Sequence, residues 1–163
     1  MAILTRSQIK RMLDEKLVAF EPCLDSFQVQ PHAVDLRLGN VFYVPQTWTM
    51  TKHGRTIFNI NYAKNLPEEH WQKVELTKGQ YFEIAPGEMV LATTMEKVIL
   101  NAPDVMGVLY PRSSVNRRGL SVDMTGIIDV RYKGTLMIPI VNNTSSQIIT
   151  VYPGERICQM VFA

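Results

Sequence analysis

The chain has 163 residues, 46% of them hydrophobic, which is enough for one compact domain with a sizeable buried core. Its net charge is only +2, so the composition does not favour binding to duplex nucleic acid or to a membrane surface. The two cysteines, Cys23 and Cys158, match no metal or redox motif, and the three histidines form no zinc pattern. No apolar run is long enough to cross a bilayer, and the N-terminus lacks the order of a signal peptide. We therefore expect a cytoplasmic protein.

The first predicted element is a helix that begins just after Thr5. Thr5 and Gln8 form a T-x-x-Q capping box, in which each side chain can bond a backbone N–H of the first turn. Ile9 and Met12 then lie on one apolar helical face. The pattern ends near Lys16, so the helix is predicted to be short.

After this helix the sequence alternates short β-rich runs with turns that contain Gly, Pro and Asn. The runs are VDLRLGNVFYV, QYFEIAPGEMVLATT, VMGVLYP, GTLMIPIVNN and QIITVYPGERICQMVF. Pro86-Gly87 and Pro153-Gly154 each place proline before glycine, which suits a type II turn. Short strands at close spacing predict an all-β sandwich, barrel or jelly roll.

Residues 46–79 are more polar and less regular than the rest, and they contain both tryptophans. Two interpretations stay open for this segment. It is either a binding or lid segment, as long irregular segments often are, or a surface excursion packed through Trp48 and Trp71. No internal repeat divides the chain, so residues 1–163 are predicted to form a single domain with an insertion at about 46–79.

Two polar motifs interrupt the apolar strands. PRSSVNRRGL, residues 111–120, places three arginines and two serines in ten positions. Arginine binds phosphate oxygens with two parallel hydrogen bonds, and serine hydroxyls donate to the same oxygens. GIIDVRYKG, residues 126–134, is predicted to be a β-hairpin, and an ordinary hairpin with a turn aspartate explains that motif when it is taken alone.

Two further motifs carry isolated polar residues within strands. QPHAVDLRLG, residues 30–39, contains Asp35 and Arg37, which we expect to form a structural ion pair. YPGERICQMVF, residues 152–162, carries Gln159 in a run of buried character, where it either satisfies a core hydrogen bond or serves a site.

These four motifs, in this order, resemble the superfamily of trimeric dUTPases and dCTP deaminases. The resemblance covers most of the chain apart from residues 46–79. It implies a mainly β fold, a distorted β-barrel or jelly roll of the dUTPase-like β-clip type, with an N-terminal helix. It also implies a homotrimer with shared active sites, a deoxynucleoside triphosphate substrate, and Mg²⁺ bound through substrate phosphates and water.

The resemblance to dUTPases implies a role for several polar residues of these motifs. Asp129 would orient the water that attacks the α-phosphorus, and Tyr132 would pack flat on the deoxyribose and exclude a 2′-hydroxyl. The phosphate-binding residues implied in this way are Arg112, Ser113 and Ser114 of a neighbouring subunit, together with Gln159.

Other residues are implied to approach the base. The backbone of Gly126, Ile127 and Ile128 would pair with it, and Gly126 allows close approach because it has no Cβ. Arg117 matches an arginine of the deaminase branch. Asp123 lies on the approach to the base, where an ionised carboxylate would accept from the 4-amino group of cytosine and disfavour O4 of uracil, unless the side chain points away.

The two branches differ at one position in the strand after the hairpin. Deaminases resemble one another in placing a glutamate five residues after the hairpin glycine, and this chain has Pro139 there. Proline cannot act as a general acid or base, so the sequence predicts a dUTP diphosphatase that forms dUMP and pyrophosphate. The N-terminal half resembles deaminases, which keeps a dCTP deaminase open. The chain lacks the Gly-rich C-terminal arm of typical dUTPases, which keeps a non-catalytic deoxynucleotide-binding homologue open.

Overall fold

The chain is built mainly from β-strands in the computed structural model, which describes residues 2–122 and 126–163. The helices and strands are α1 (Arg6–Asp14), β1 (Val18–Glu21), β2 (Val34–Pro45), β3 (Trp48–Thr51), β4 (Gly54–Ile57), β5 (Trp71–Glu75), β6 (Phe82–Ile84), β7 (Met89–Leu100), β8 (Gly107–Pro111), α2 (Ser113–Asn116), β9 (Leu120–Val122), β10 (Ile127–Ile128), β11 (Lys133–Asn142), β12 (Ile149–Val151) and β13 (Arg156–Phe162). A short 3-10 turn at Glu68–His70 precedes β5.

One large sheet organises the described residues. The order of its strands is β10, β8, β13, β2, β7, β11 and β9, with β1 paired to β7 and β5 paired to β2. The sheet curls into half a barrel, which confirms the predicted mainly β, distorted-barrel class with an N-terminal helix. Strands β6 and β12 pair separately, and β3 and β4 form a two-stranded ribbon outside the large sheet.

Helix α1 begins where the capping box predicts. The Thr5 backbone N–H donates to Gln8 Oε1 at 2.8 Å, and Ile9 and Met12 are buried against the core. Both predicted Pro-Gly turns are also confirmed, because Gly87 and Gly154 have φ values of +76° and +92°. Type II turns need a positive φ at that position, and glycine adopts it without a steric penalty.

The core lies along the inner face of the sheet and is clearest in β7. Alternate residues of β7 are buried over its whole length, as expected for a strand with one face inward. Most of this inward row is apolar, but it includes Glu96, whose side chain is completely buried. Glu96 Oε1 accepts from Arg37 Nε at 2.6 Å and from Gln28 Nε2 at 2.9 Å, and Glu96 Oε2 accepts from the Arg37 backbone N–H at 2.8 Å.

These contacts correct the predicted pairing of Asp35 with Arg37. Arg37 pairs with Glu96 and lies 4.0 Å from Asp25, whereas Asp35 pairs with two arginines from elsewhere in the chain. The two residues do share one strand, but β7, β13 and the residue after β8 supply better-placed partners than a residue two positions away.

The predicted insertion, residues 46–79, contains the β3–β4 ribbon and β5. Trp48 is 45% exposed on the ribbon, where the Arg55 guanidinium lies 5.2 Å from the centre of its ring. Trp71 instead packs edge-on against buried His70, with ring centres 4.9 Å apart. Of the two tryptophans, Trp71 therefore packs this segment against a buried residue, and Trp48 does not.

The two cysteines have very different surroundings. Cys23 is exposed, whereas Cys158 is completely buried in β13. Burial raises the pKa of the Cys158 thiol to about 12. Within residues 2–122 and 126–163, no helix combines the length and apolar character needed to cross a membrane.

Candidate functional site

A cavity of about 460 Å³, here called the Gln159 cavity, gathers the predicted phosphate-binding residues. Its walls include Arg112, Ser113, Ser114 and Gln159, the four residues that the family resemblance implies to bind phosphate. The remaining walls come from residues 30–33 and from Asp35 and Val161.

Strand register explains why these residues meet. Strand β13 lies between β2 and β8, and it places Gln159 directly opposite Asp35 on one side and Tyr110 on the other. Directly opposite residues on neighbouring strands project to the same face of a sheet. Strand β8 ends at Pro111, so Arg112 and the serines after it follow immediately at the edge of that face.

Asp35 holds two arginines at the wall of the cavity. Its side chain is only 2% exposed, and its Oδ2 lies 3.2 Å from Arg156 Nη1 and 3.4 Å from Arg112 Nε. Arg112 Nη1 also donates to the Arg156 carbonyl at 3.0 Å, so its guanidinium is fixed from two directions. Burial raises the pKa of Asp35, and the charges of Arg112 and Arg156 oppose that rise.

The segment GIIDVRYKG is not the predicted β-hairpin. Its first strand, β10, pairs with β8, where Ile127 lies opposite Val108, and its second strand, β11, pairs with β7 and β9. Strand β10 pairs with β8 along one edge and not with β11, so the segment is a turn that connects separate parts of the sheet. The Tyr132 backbone N–H donates to the Asp129 carbonyl at 3.1 Å and closes this turn.

Tyr132 lies in a fixed position within the turn. Its hydroxyl donates to the Thr135 carbonyl at 2.9 Å, and the ring covers Gly134. A Cβ at residue 134 would lie only 2.9 Å from the tyrosine hydroxyl oxygen, which is why glycine fits there. Asp129 itself is exposed.

The other predicted residues lie apart from the Gln159 cavity or outside the described residues. Neither Asp129 nor Tyr132 lines that cavity, and Arg117 is exposed at the end of α2. The side chain of Ile127 is 63% exposed, whereas Ile128 is 7% exposed and packs into the core. A Cβ at Gly126 would make an ordinary 3.6 Å contact with Leu109, so none of the residues that the structure describes requires glycine there. The prediction for Asp123 falls outside the described residues.

Sequence reasoning missed three residues of this region: His32, Arg118 and Arg156. His32 lines the Gln159 cavity, and Arg118 and Arg156 line a neighbouring cleft. The only sequence signal for them is their position within motifs already identified as polar.

Pro139 lies in the middle of β11, opposite Leu91 of β7. It is partly buried on the outward face of the strand, between the buried side chains of Ile138 and Ile140. The position at which deaminases are expected to carry a glutamate therefore offers no carboxylate here. In the described ranges, no group of three or more His, Cys, Asp or Glu side chains is placed to hold a metal ion.

Comparison with known proteins points to one family. A family model described as "dCTP deaminase-like" matches residues 3–163, including the segment 46–79. The "dCTP deaminase, dUMP-forming" of Methanosphaera stadtmanae is 34% identical over 99% of this chain and 79% of its own length. A protein of the same name from Persephonella marina is 35% identical over 99% of this chain and 83% of its own length.

A solved structure agrees over nearly the whole chain. The crystal structure of 2′-deoxycytidine 5′-triphosphate deaminase from Agrobacterium tumefaciens superposes with a TM-score of 0.68 at 25% identity. The match covers 98% of this chain and 47% of that one, so this chain spans just under half of its length.

Proposed function

This chain belongs to the dCTP deaminase-like family, and from that premise we propose that it forms dUMP and pyrophosphate from a pyrimidine deoxynucleoside triphosphate. The observation that carries the proposal is the identity of about a third, over 99% of the chain, to proteins named as dUMP-forming dCTP deaminases. These relatives support the deaminase alternative better than the predicted dUTP diphosphatase. With dCTP, two waters are consumed, and dUMP, ammonia and pyrophosphate are released.

A second candidate is a dUTP diphosphatase that hydrolyses without deaminating. One observation favours it: Pro139 stands where the family resemblance implies a glutamate, and its ring cannot move a proton during attack on cytosine. Both candidates share cleavage between the α- and β-phosphates. They differ in the base of the substrate, because only the deaminase also breaks the bond between C4 of cytosine and its amino group.

The Gln159 cavity supports binding of the triphosphate. Arg112 presents a guanidinium that Asp35 and the Arg156 carbonyl hold in place, and Ser113 and Ser114 add hydroxyl donors beside it. Fixed donors cost little reorganisation when an anion binds, and arginine suits phosphate geometry. Gln159 supplies an amide donor from the neighbouring strand.

We propose that the complete site is shared between copies of the chain. Asp129 and Tyr132 do not line the Gln159 cavity of their own chain, and the family resemblance expects a homotrimer with shared sites. In that arrangement Asp129 orients the attacking water against the α-phosphorus, and the ring of Tyr132 packs on the deoxyribose. A 2′-hydroxyl would then clash, so ribonucleotides are disfavoured.

Mg²⁺ is the cation we expect with the substrate. Ser113 and Ser114 give the cavity wall hydroxyl oxygens, whereas the Asp35 carboxylate is held by Arg112 and Arg156, so this lining fits Mg²⁺ carried largely by phosphate oxygens and water. When bound, the ion would neutralise part of the phosphate charge. The protein residues bind and orient the nucleotide.

The test is an assay of purified protein with dCTP and dUTP in Mg²⁺, in which ammonia and pyrophosphate are measured separately. Ammonia from dCTP together with pyrophosphate supports the deaminase, and pyrophosphate from dUTP without ammonia from dCTP supports the second candidate. Binding of both nucleotides with neither product would overturn both proposals in favour of a non-catalytic protein.

The role of Asp129 is tested by the Asp129→Asn variant. We expect pyrophosphate release to fall at least 100-fold, because removing one preorganised group from such a site costs about 3 kcal/mol of barrier. Asp104→Asn, at another exposed aspartate, is the matched control and should keep its rate. Equal rates in the two variants would show that Asp129 does not orient the water.

A further inference from the structure

A second cleft adjoins the Gln159 cavity and shares Arg112 and Ser114 with it. This Arg118 cleft has a volume of about 320 Å³, and Arg112, Arg118 and Arg156 form its cationic wall. Thr150 adds a hydroxyl, Glu155 is the one acid among the lining residues, and the rest of the lining is aliphatic. Three guanidinium groups around one small cleft indicate an anion site.

The three arginines are not equally committed to other contacts. Arg112 and Arg156 share Oδ2 of Asp35, which fixes them at the boundary between the two cavities. For Arg118, no carboxylate among residues 2–122 and 126–163 lies within 4.0 Å. Its backbone N–H donates to the Val115 carbonyl at 3.0 Å, which holds its Cα in place. Among the described residues, no carboxylate occupies the N–H donors of its guanidinium.

Glu155 does not neutralise this cleft by pairing with Arg118. Its Oε2 accepts from the Tyr152 backbone N–H at 3.2 Å, within the Pro-Gly turn before β13. If Asp35 and Glu155 are both ionised, the three arginines leave one net positive charge. That charge is concentrated on the side of Arg118, away from Asp35.

The lining chemistry fits a compact polyvalent anion. Guanidinium groups and hydroxyls are hydrogen-bond donors, and they bind phosphate oxygens through forked contacts. The lining includes no aromatic side chain on which a base could stack. A diphosphate is small enough for a cleft of this volume, and both Arg118 and Arg112 line it.

We propose that the Arg118 cleft is a second anion site, which binds pyrophosphate separately from the nucleotide in the Gln159 cavity. The identity of the anion rests on the proposed function, in which pyrophosphate is the product released beside Arg112. Because the two cavities share a wall, pyrophosphate could bind in the Arg118 cleft while the nucleoside monophosphate is still bound in the Gln159 cavity.

The test measures binding of inorganic pyrophosphate to the whole protein by isothermal titration calorimetry. We expect Arg118→Leu to weaken pyrophosphate binding at least tenfold, and Arg118→Lys, which keeps the charge but loses the fork, to weaken it less. The matched control is Arg55→Leu, which removes an arginine from the β3–β4 ribbon and should leave binding unchanged. A pyrophosphate affinity within twofold in Arg118→Leu would overturn the proposal.

A second titration distinguishes the cleft from the nucleotide site. Pyrophosphate should still bind after the protein is saturated with a non-hydrolysable α,β-imido deoxynucleoside triphosphate, and Arg118→Leu should bind that analogue within twofold of the unmodified chain. If the analogue abolishes pyrophosphate binding, or if Arg118→Leu loses both ligands equally, Arg118 belongs to the nucleotide site. Binding of pyrophosphate through Arg118 in a protein without turnover would reject the proposed function and keep the cleft.

Discussion

Glu96 is a completely buried carboxylate that accepts three hydrogen bonds, and the Glu96→Gln substitution measures what they contribute. Two donors, Gln28 Nε2 and Arg37 Nε, share Oε1, and the Arg37 backbone N–H uses Oε2. Glutamine offers only one oxygen, so at least one donor must face the new NH₂ group. The substitution also removes the negative charge from a pair in which Arg37 is only 20% exposed.

The magnitude follows from these contacts. A hydrogen bond to a charged group contributes about 1.5–3 kcal/mol, and breaking a buried pair costs about 3–5 kcal/mol. Since glutamine keeps the shape of the side chain and at least one acceptor, we expect a loss of about 3 kcal/mol in the free energy of unfolding. For a domain of this size each kcal/mol lowers Tm by about 2–4 °C, so Tm should fall by about 6–12 °C.

Thermal unfolding followed by circular dichroism provides the measurement. The matched control is Glu21→Gln, in which an acid that is 62% exposed loses its contact with Lys97. Exposed pairs contribute at most about 1 kcal/mol, so the Tm of the control should change little. If Glu96→Gln unfolds at the same temperature as Glu21→Gln, the buried network does not stabilise the chain.

Two further predictions concern the turn and the cavity wall. Gly134→Ala should weaken binding of a deoxynucleotide analogue about tenfold in calorimetry, because the new Cβ would displace the ring of Tyr132. An unchanged affinity would show that Tyr132 does not pack on the sugar. Burial raises the pKa of Asp35, so the folded chain holds this proton more firmly than the unfolded one, although Arg112 and Arg156 oppose the shift. In urea unfolding, we therefore expect the difference in stability between the unmodified chain and Asp35→Asn to be greatest below the pKa of an unfolded aspartate. That difference should fall as the pH rises through the raised pKa of the folded chain. A relative stability that increases with pH would show that the arginines dominate.

Local patterns predicted the elements whose causes are local. The capping box of Thr5 and Gln8 and the glycines of the two Pro-Gly turns depend on residues three or fewer positions apart, and the structure confirms them. The alternation in β7 likewise follows from the two-residue period of a strand. The grouping of Arg112 with Gln159 came from family resemblance, since 47 positions of sequence separate them.

Features that depend on distant strands could not be predicted in this way. The sequence GIIDVRYKG has the composition of a hairpin, but β8 competes for the hydrogen-bonding groups of Ile127 and Ile128. Asp35 and Arg37 are near each other along β2, yet their partners are supplied by β7, β13 and the residue after β8. Pairing between strands is set by the whole sheet, and a single motif does not contain that information.

The contrast between the two thiols gives the chain a ready attachment point for a reporter group. At neutral pH a maleimide dye would modify exposed Cys23 and leave Cys158 untouched, because burial both shields that sulfur and suppresses its thiolate. Cys23 precedes the loop that contributes residues 30–33 to the Gln159 cavity. A fluorophore there could follow nucleotide binding in the native sequence, without any engineered cysteine.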